Sequence, residues 1–211
     1  MRLAQWFCVA MWAGILVVPA SAQVGKSVGL ADVNTISQAD LLNVPHMNPQ
    51  IADAILAARP FDSITQLHEL LLSHKLSAEQ AAEVYAKVFV HINLNTATRE
   101  EILLIPGAGK KMAREFDEYR PWKSFKQFDK EIGKYVGPDE TARLAQYCFI
   151  PINLNTASDE DILSIPGVGP KLLAEFKEYR PYQSLKQFER AIGKYVDEKE
   201  VRRLARYVTV E

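Results

Sequence analysis

A block of about sixty residues occurs twice in nearly the same letters, and this internal repeat limits the possible folds more than any other feature. Ile92-Asn93-Leu94-Asn95-Thr96-Ala97 returns as Ile152-Asn153-Leu154-Asn155-Thr156-Ala157. Ile105-Pro106-Gly107-Ala108-Gly109 returns as Ile165-Pro166-Gly167-Val168-Gly169, and Glu118-Tyr119-Arg120-Pro121 as Glu178-Tyr179-Arg180-Pro181. A fainter copy precedes both, in which Asn34-Thr35, Val44-Pro45, Arg59-Pro60 and Ser63 align with Asn95-Thr96, Ile105-Pro106, Arg120-Pro121 and Ser124. A fixed period of this size marks a chain of similar units that bury their apolar faces on one another. The units span residues 23–92, 93–152 and 153–211, behind an N-terminal segment of residues 1–22.

Each unit carries four helix starts. Ser37/Asp40, Thr98/Glu101 and Ser158/Asp161 have the spacing in which a hydroxyl caps the first turn and an acid three residues on reaches back. Leu41, Leu42 and Val44, with Ile102, Leu103, Ile105 and Ile162, Leu163, Ile165, give this first helix its apolar face. The second helix places Met112, Phe116 and Tyr119, or Leu172, Phe176 and Tyr179, on one stripe. It stops at the Arg-Pro pair, because proline cannot continue it. Ser63/Gln66, Ser124/Gln127 and Ser184/Gln187 open the third, buried through Phe125, Phe128, Ile132 or Leu185, Phe188, Ile192. The fourth runs over 138–147 and 198–207, with Ser77/Gln80 opening its first-unit counterpart. The predicted fold is all-α, with each unit a pair of helical hairpins stacked on the next through short extended joints such as 149–152.

Ahead of the repeats, Arg2 precedes an apolar run from Leu3 to Val18 that ends in Ala20-Ser21-Ala22. This is the pattern of a signal peptide with cleavage before Gln23, so the mature chain is expected in the periplasm or outside the cell. Cys8 leaves with that segment, and Cys148, at the position held by Val88 and Val208, reads as a small buried apolar residue. Loss of Arg2 leaves 24 basic residues against 26 acidic ones, a net charge of −2. Their distribution is uneven: residues 23–92 hold 4 basic and 7 acidic, 93–152 hold 10 and 9, and 153–211 hold 10 and 10. His46, His68, His74 and His91 lack metal-ligand spacing and read as surface or capping residues. No metal or other cofactor is expected.

The candidate chemistry lies between the first and second helices. Glycines let the chain turn at positive φ and bring bare backbone near a ligand. Gly107 and Gly109, and Gly167 and Gly169, stand just before a helix whose first-turn N–H groups and positive dipole end suit a phosphate. Pro170 fits the first helical position, and Lys110, Lys111 and Lys171 add charge beside it. A tight turn between packed helices needs glycine even without a ligand. The first unit has His46-Met47-Asn48 here, where Asn48 is the residue best able to turn left-handed, and reads as a cap or protein-docking surface.

With Leu154-Asn155-Thr156-Ala157-Ser158 upstream, the hairpin at 165–171 resembles the ComEA-type family of exported helix-hairpin-helix competence proteins, convincingly over 93–211 and weakly over 32–91. That resemblance implies sequence-independent binding of double-stranded DNA through Gly107, Gly109, Lys110, Lys111, Gly167, Gly169 and Lys171, in DNA uptake. The charge balance and the degenerate first hairpin also suit another class, a structural extrinsic subunit that docks on a periplasmic or membrane protein assembly, as in the lumenal helix-hairpin-helix subunit of photosystem II. Lys171 stands where glycosylases of the superfamily carry a catalytic lysine, but no aspartate in a recognisable glycosylase context and no cysteine cluster accompany it. A binding role is expected, not an enzyme.

Overall fold

A computed structural model describes residues 29–210; the signal peptide expected over residues 1–22 lies outside the described residues. The first unit contains β1 (Ala31–Asp32), α1 (Gln38–Leu41), α2 (Pro49–Ala58), α3 (Ile64–Ser73), α4 (Ala78–Tyr85) and β2 (Val88–Phe89). The second contains β3 (Ile92–Asn93), α5 (Arg99–Leu103), α6 (Lys110–Glu118), α7 (Phe125–Ala145) and β4 (Cys148–Phe149). The third contains β5 (Ile152–Asn153), α8 (Asp159–Leu163), α9 (Pro170–Glu178), α10 (Leu185–Ile192), α11 (Glu198–Ala205) and β6 (Val208–Thr209). Helix α7 covers the third and fourth helices of its unit and breaks at Gly137, where φ is 77°. The fold is all-α. No described helix is long and apolar enough to cross a membrane.

The expected extended joints do more than connect. In each unit the first strand pairs in parallel with the last, Ala31 with Val88, Ile92 with Cys148 and Ile152 with Val208. Each unit therefore returns to its own starting edge before the chain passes on.

Burial follows the predicted stripes with two corrections. Leu41, Ile102, Ile105, Phe116, Phe128, Phe176, Phe188 and Ile192 are at most 1% exposed. Leu42, Leu103 and Leu163 are about two-fifths exposed in all three units: the four- to five-residue first helix is too short to bury both leucine positions. Leu185, at the start of α10, is also exposed. Cys148 is fully buried, and burial pushes its thiol pKa up.

The units do not form an open stack in which only neighbours touch. Successive units meet through aromatic pairs, Phe89 with Tyr147 at 4.9 Å and Phe149 with Tyr207 at 4.5 Å between ring centres. The third unit then reaches back to the first. Arg206 donates to the carbonyls of Phe61 and His91 at 3.2 and 3.0 Å, and the Tyr207 hydroxyl donates to Asp32 at 3.3 Å. His91 is thus a buried residue, 2% exposed, with its ring nitrogen 2.9 Å from the Asp32 carboxylate. The surface assignment from sequence fails because the element that covers His91 lies more than a hundred residues away.

Candidate nucleic-acid interface

In each hairpin one residue turns the chain and another, two positions later, begins the helix. Gly107 and Gly167 turn it, with φ of 82° and 81°. Gly109 and Gly169 do not: they are the N-caps of α6 and α9, with φ of −90° and −107° and extended backbone. The expectation that both glycines turn left-handed is thus corrected, as is the one for Asn48. His46 takes the turn in the first unit, with φ of 62°, while Asn48 is the extended N-cap of α2 and its side chain accepts from the Ile51 N–H at 3.0 Å. The alignment explains this, since His46 stands at the position of Gly107 and Asn48 at that of Gly109.

Among the described residues, nine of eleven helices open on a Ser, Thr, Asn or Asp whose side chain accepts from a first-turn N–H. The exceptions are α6 and α9, whose glycine caps offer no side-chain acceptor, together with the second segment of α7, which restarts after Gly137 with acidic residues in its first turn. Orphan N–H groups at a helix start must find another acceptor, and here they face outward. Gly109, Lys110 and Lys111 are exposed, as are Pro170 and Lys171, while Gly169 is half-buried. Pro170 carries no N–H, so α9 presents one donor fewer than α6. Within α6, Arg114 has 64% of its side chain exposed, and the Lys111 ammonium lies 5.1 Å from the centre of the Tyr135 ring. All seven sequence-predicted residues thus lie at two helix starts, Lys110 and Lys111 at one and Lys171 alone at the other.

Sequence reasoning missed what lies against the turning glycines. A Cβ on Gly107 would stand 3.0 Å from the Arg143 guanidinium, and one on Gly167 would stand 3.0 Å from Arg203 and 3.2 Å from Thr35 of the first unit. Arg143 is held by Glu140 through two hydrogen bonds of 2.6 Å, and Arg203 by Glu200 at 2.7 and 2.6 Å. In the first unit both partners differ: Glu83 stands where the arginine would be, and the His46 ring at the turn bonds it at 2.9 Å. The recurrence of Glu140/Arg143 as Glu200/Arg203 was the available signal; nothing local ties it to a hairpin more than thirty residues upstream.

The most specific letters of the repeat are structural. Asn34, Asn95 and Asn155 each accept from the backbone N–H and donate to the carbonyl of the residue 27 positions on, Phe61, Trp122 and Tyr182. The arginine of each Arg-Pro pair donates to carbonyls of the segment preceding the first helix, Arg59 to Ile36, Arg120 to Leu94 and Ala97, and Arg180 to Ala157. These braces hold the hairpin pair in register.

Residues 26–83 match the family model of the helix-hairpin-helix motif. The matched segment lies in the first unit, where the sequence likeness was weaker and where no Gly-x-Gly pair is present. No curated protein matches the chain. No solved structure matches it either.

Proposed function

We propose that this helix-hairpin-helix chain is an exported binder, not an enzyme, that grips the phosphate backbone of double-stranded DNA at the starts of α6 and α9 without reading sequence. The observation that supports it is the pairing of an uncapped start with positive charge: α6 and α9 alone, among the described helices, start on glycine with lysine in the first turn. A backbone phosphate satisfies such N–H groups and the dipole end together. Helix α6, with Lys110, Lys111 and Arg114, is the principal site, and α9 with Lys171 the secondary one. A role in DNA uptake follows the ComEA-type resemblance.

The test is retention of the full chain on duplexes of random sequence as a function of salt. A few phosphate contacts give a slope of about 0.9 in log K per phosphate neutralised. Replacing Lys110, Lys111 and Lys171 together by Gln is expected to flatten that slope with unchanged helical content. One observation favours the docking reading instead, namely that the exposed turn at Gly167 lies against Thr35 of the first unit and Arg203. Absence of salt-dependent binding to duplex or single strands would leave that reading, a structural subunit of a periplasmic or membrane assembly, as the account of the same hairpins.

A further inference from the structure

The three units create two joints of the same design, and only one is filled. At the joint of the first and second units, the half-buried Arg206 occupies the space between two carbonyls, those of Phe61 and His91, with its guanidinium 5.8 Å from the centre of the Phe149 ring. In the repeat alignment these three residues correspond to Trp122, Pro151 and Thr209. All three line a cavity of about 770 Å³ at the joint of the second and third units, together with Asn93, Lys123 and Asp161. Asp32 and His91 are 6% and 2% exposed at the filled joint, whereas their counterparts Asn93 and Pro151 are half-exposed at the open one. Nothing among the described residues plays the part of Arg206 there.

From this correspondence we infer that the second joint is a socket for an arginine presented by a partner protein at the end of a helix, as α11 presents Arg206 to the first. Backbone carbonyls arranged to receive a planar guanidinium favour arginine over lysine, whose ammonium is a point donor. The tyrosine that follows Arg206 bonds Asp32; at the open joint Asn93 offers an amide to the same kind of hydroxyl. Two differences weaken the socket relative to its filled twin. Thr209 replaces the stacking ring of Phe149, and Lys123 replaces Asp62, which at the filled joint lies 3.6 Å from Arg202. Weakness suits a contact made and released by a separate chain. The inference is independent of the DNA reading, because neither helix start lines this cavity.

A labelled peptide with the sequence of residues 198–210, which carries the Arg206–Tyr207 pair on its own helix, is a direct probe when titrated into the full chain by fluorescence anisotropy. Binding is expected, with an Arg206→Gln peptide at least about tenfold weaker, the loss of about one charge-assisted hydrogen bond. In the protein, Lys123→Asp restores the acid of the filled joint and is expected to tighten binding several-fold. Thr156→Trp, at an exposed lining position, is expected to abolish it. Circular dichroism checks that each variant retains its helices, and two substitutions of opposite expected sign guard against misfolding of either. Equal affinity of the arginine and glutamine peptides overturns the proposal. So does undiminished binding to a folded Thr156→Trp chain, which means that the peptide has displaced α11 from the first joint, and so does no binding at about 1 mM peptide.

Discussion

Gly107 and Gly109 are separated by one residue and have different tasks, so substitutions should separate them. At Gly107 an alanine must accept φ of 82° and push the Arg143 guanidinium away from a 3.0 Å approach. A left-handed non-glycine residue costs roughly 1–2 kcal/mol, and Gly107→Ala should lower thermal stability by about that amount. Gly109 lies in extended backbone with open space where its Cβ would be. Gly109→Ser should raise stability by a few tenths of a kcal/mol through the new cap. The same hydroxyl oxygen takes an N–H that a phosphate would otherwise receive, and duplex affinity should fall about tenfold. Calorimetric melting and duplex titration of the two variants check both expectations; a Gly109→Ser chain that binds as tightly as the parent would remove the helix start of α6 from the site. The sequence alone does not assign these roles, because glycine is equally suited to either position and only the neighbouring arginine, distant in the chain, distinguishes them.

At the scale of elements, the helix starts were readable because capping is local: a hydroxyl and its target N–H are two or three residues apart in any fold. Ser37, Ser63, Ser77, Thr98, Ser124, Ser158 and Ser184 all cap where their spacing places them. The exposure of Leu42, Leu103 and Leu163 was not readable, since it depends on which turn of a very short helix meets the next unit. The division of labour between α2, α6 and α9 follows from caps and charge alone. Asn48 already occupies the start of α2, and no lysine stands in its first turn. Lys110→Gln with Lys111→Gln should therefore remove more of the duplex salt slope than Lys171→Gln, each phosphate lost lowering it by about 0.9. The comparison belongs in the full chain, because a fragment of residues 93–211 would expose the face of the third unit that packs on the first. An equal loss from both replacements would contradict the ranking of α6 over α9.

The whole molecule depends on closure of the third unit onto the first, and no sequence pattern announces it. Asp32 and Tyr207 are 175 positions apart, and Arg206 and Phe61 are 145 apart. The repeat itself suggests equivalence: Asn93 and Asn153 stand where Asp32 does, and each uses its side-chain oxygen on a backbone N–H two residues on. Asp32 keeps that bond to Asn34 and adds His91 and Tyr207 through its second oxygen. Burial pushes the Asp32 carboxyl pKa up, but the hydrogen bond and charge of His91, the charge of Arg203 and the Asn34 N–H together outweigh it and hold it below its ordinary value of 3.8. A carboxyl lowered on folding adds stability that is complete above its unfolded pKa and is lost as pH falls through the folded one. The closure should therefore hold at neutral pH and weaken only below about pH 4. Asp32→Asn leaves the His91 ring and the Arg203 guanidinium without their buried acid. It should cost about 3 kcal/mol near neutral pH, where breaking a buried pair is most destabilising, and should flatten the acid limb of the stability profile. Denaturant midpoints of parent and variant between about pH 3 and pH 7 measure both effects, and a variant with the parent's midpoint at neutral pH would show that the Asp32 cluster does not hold the third unit to the first.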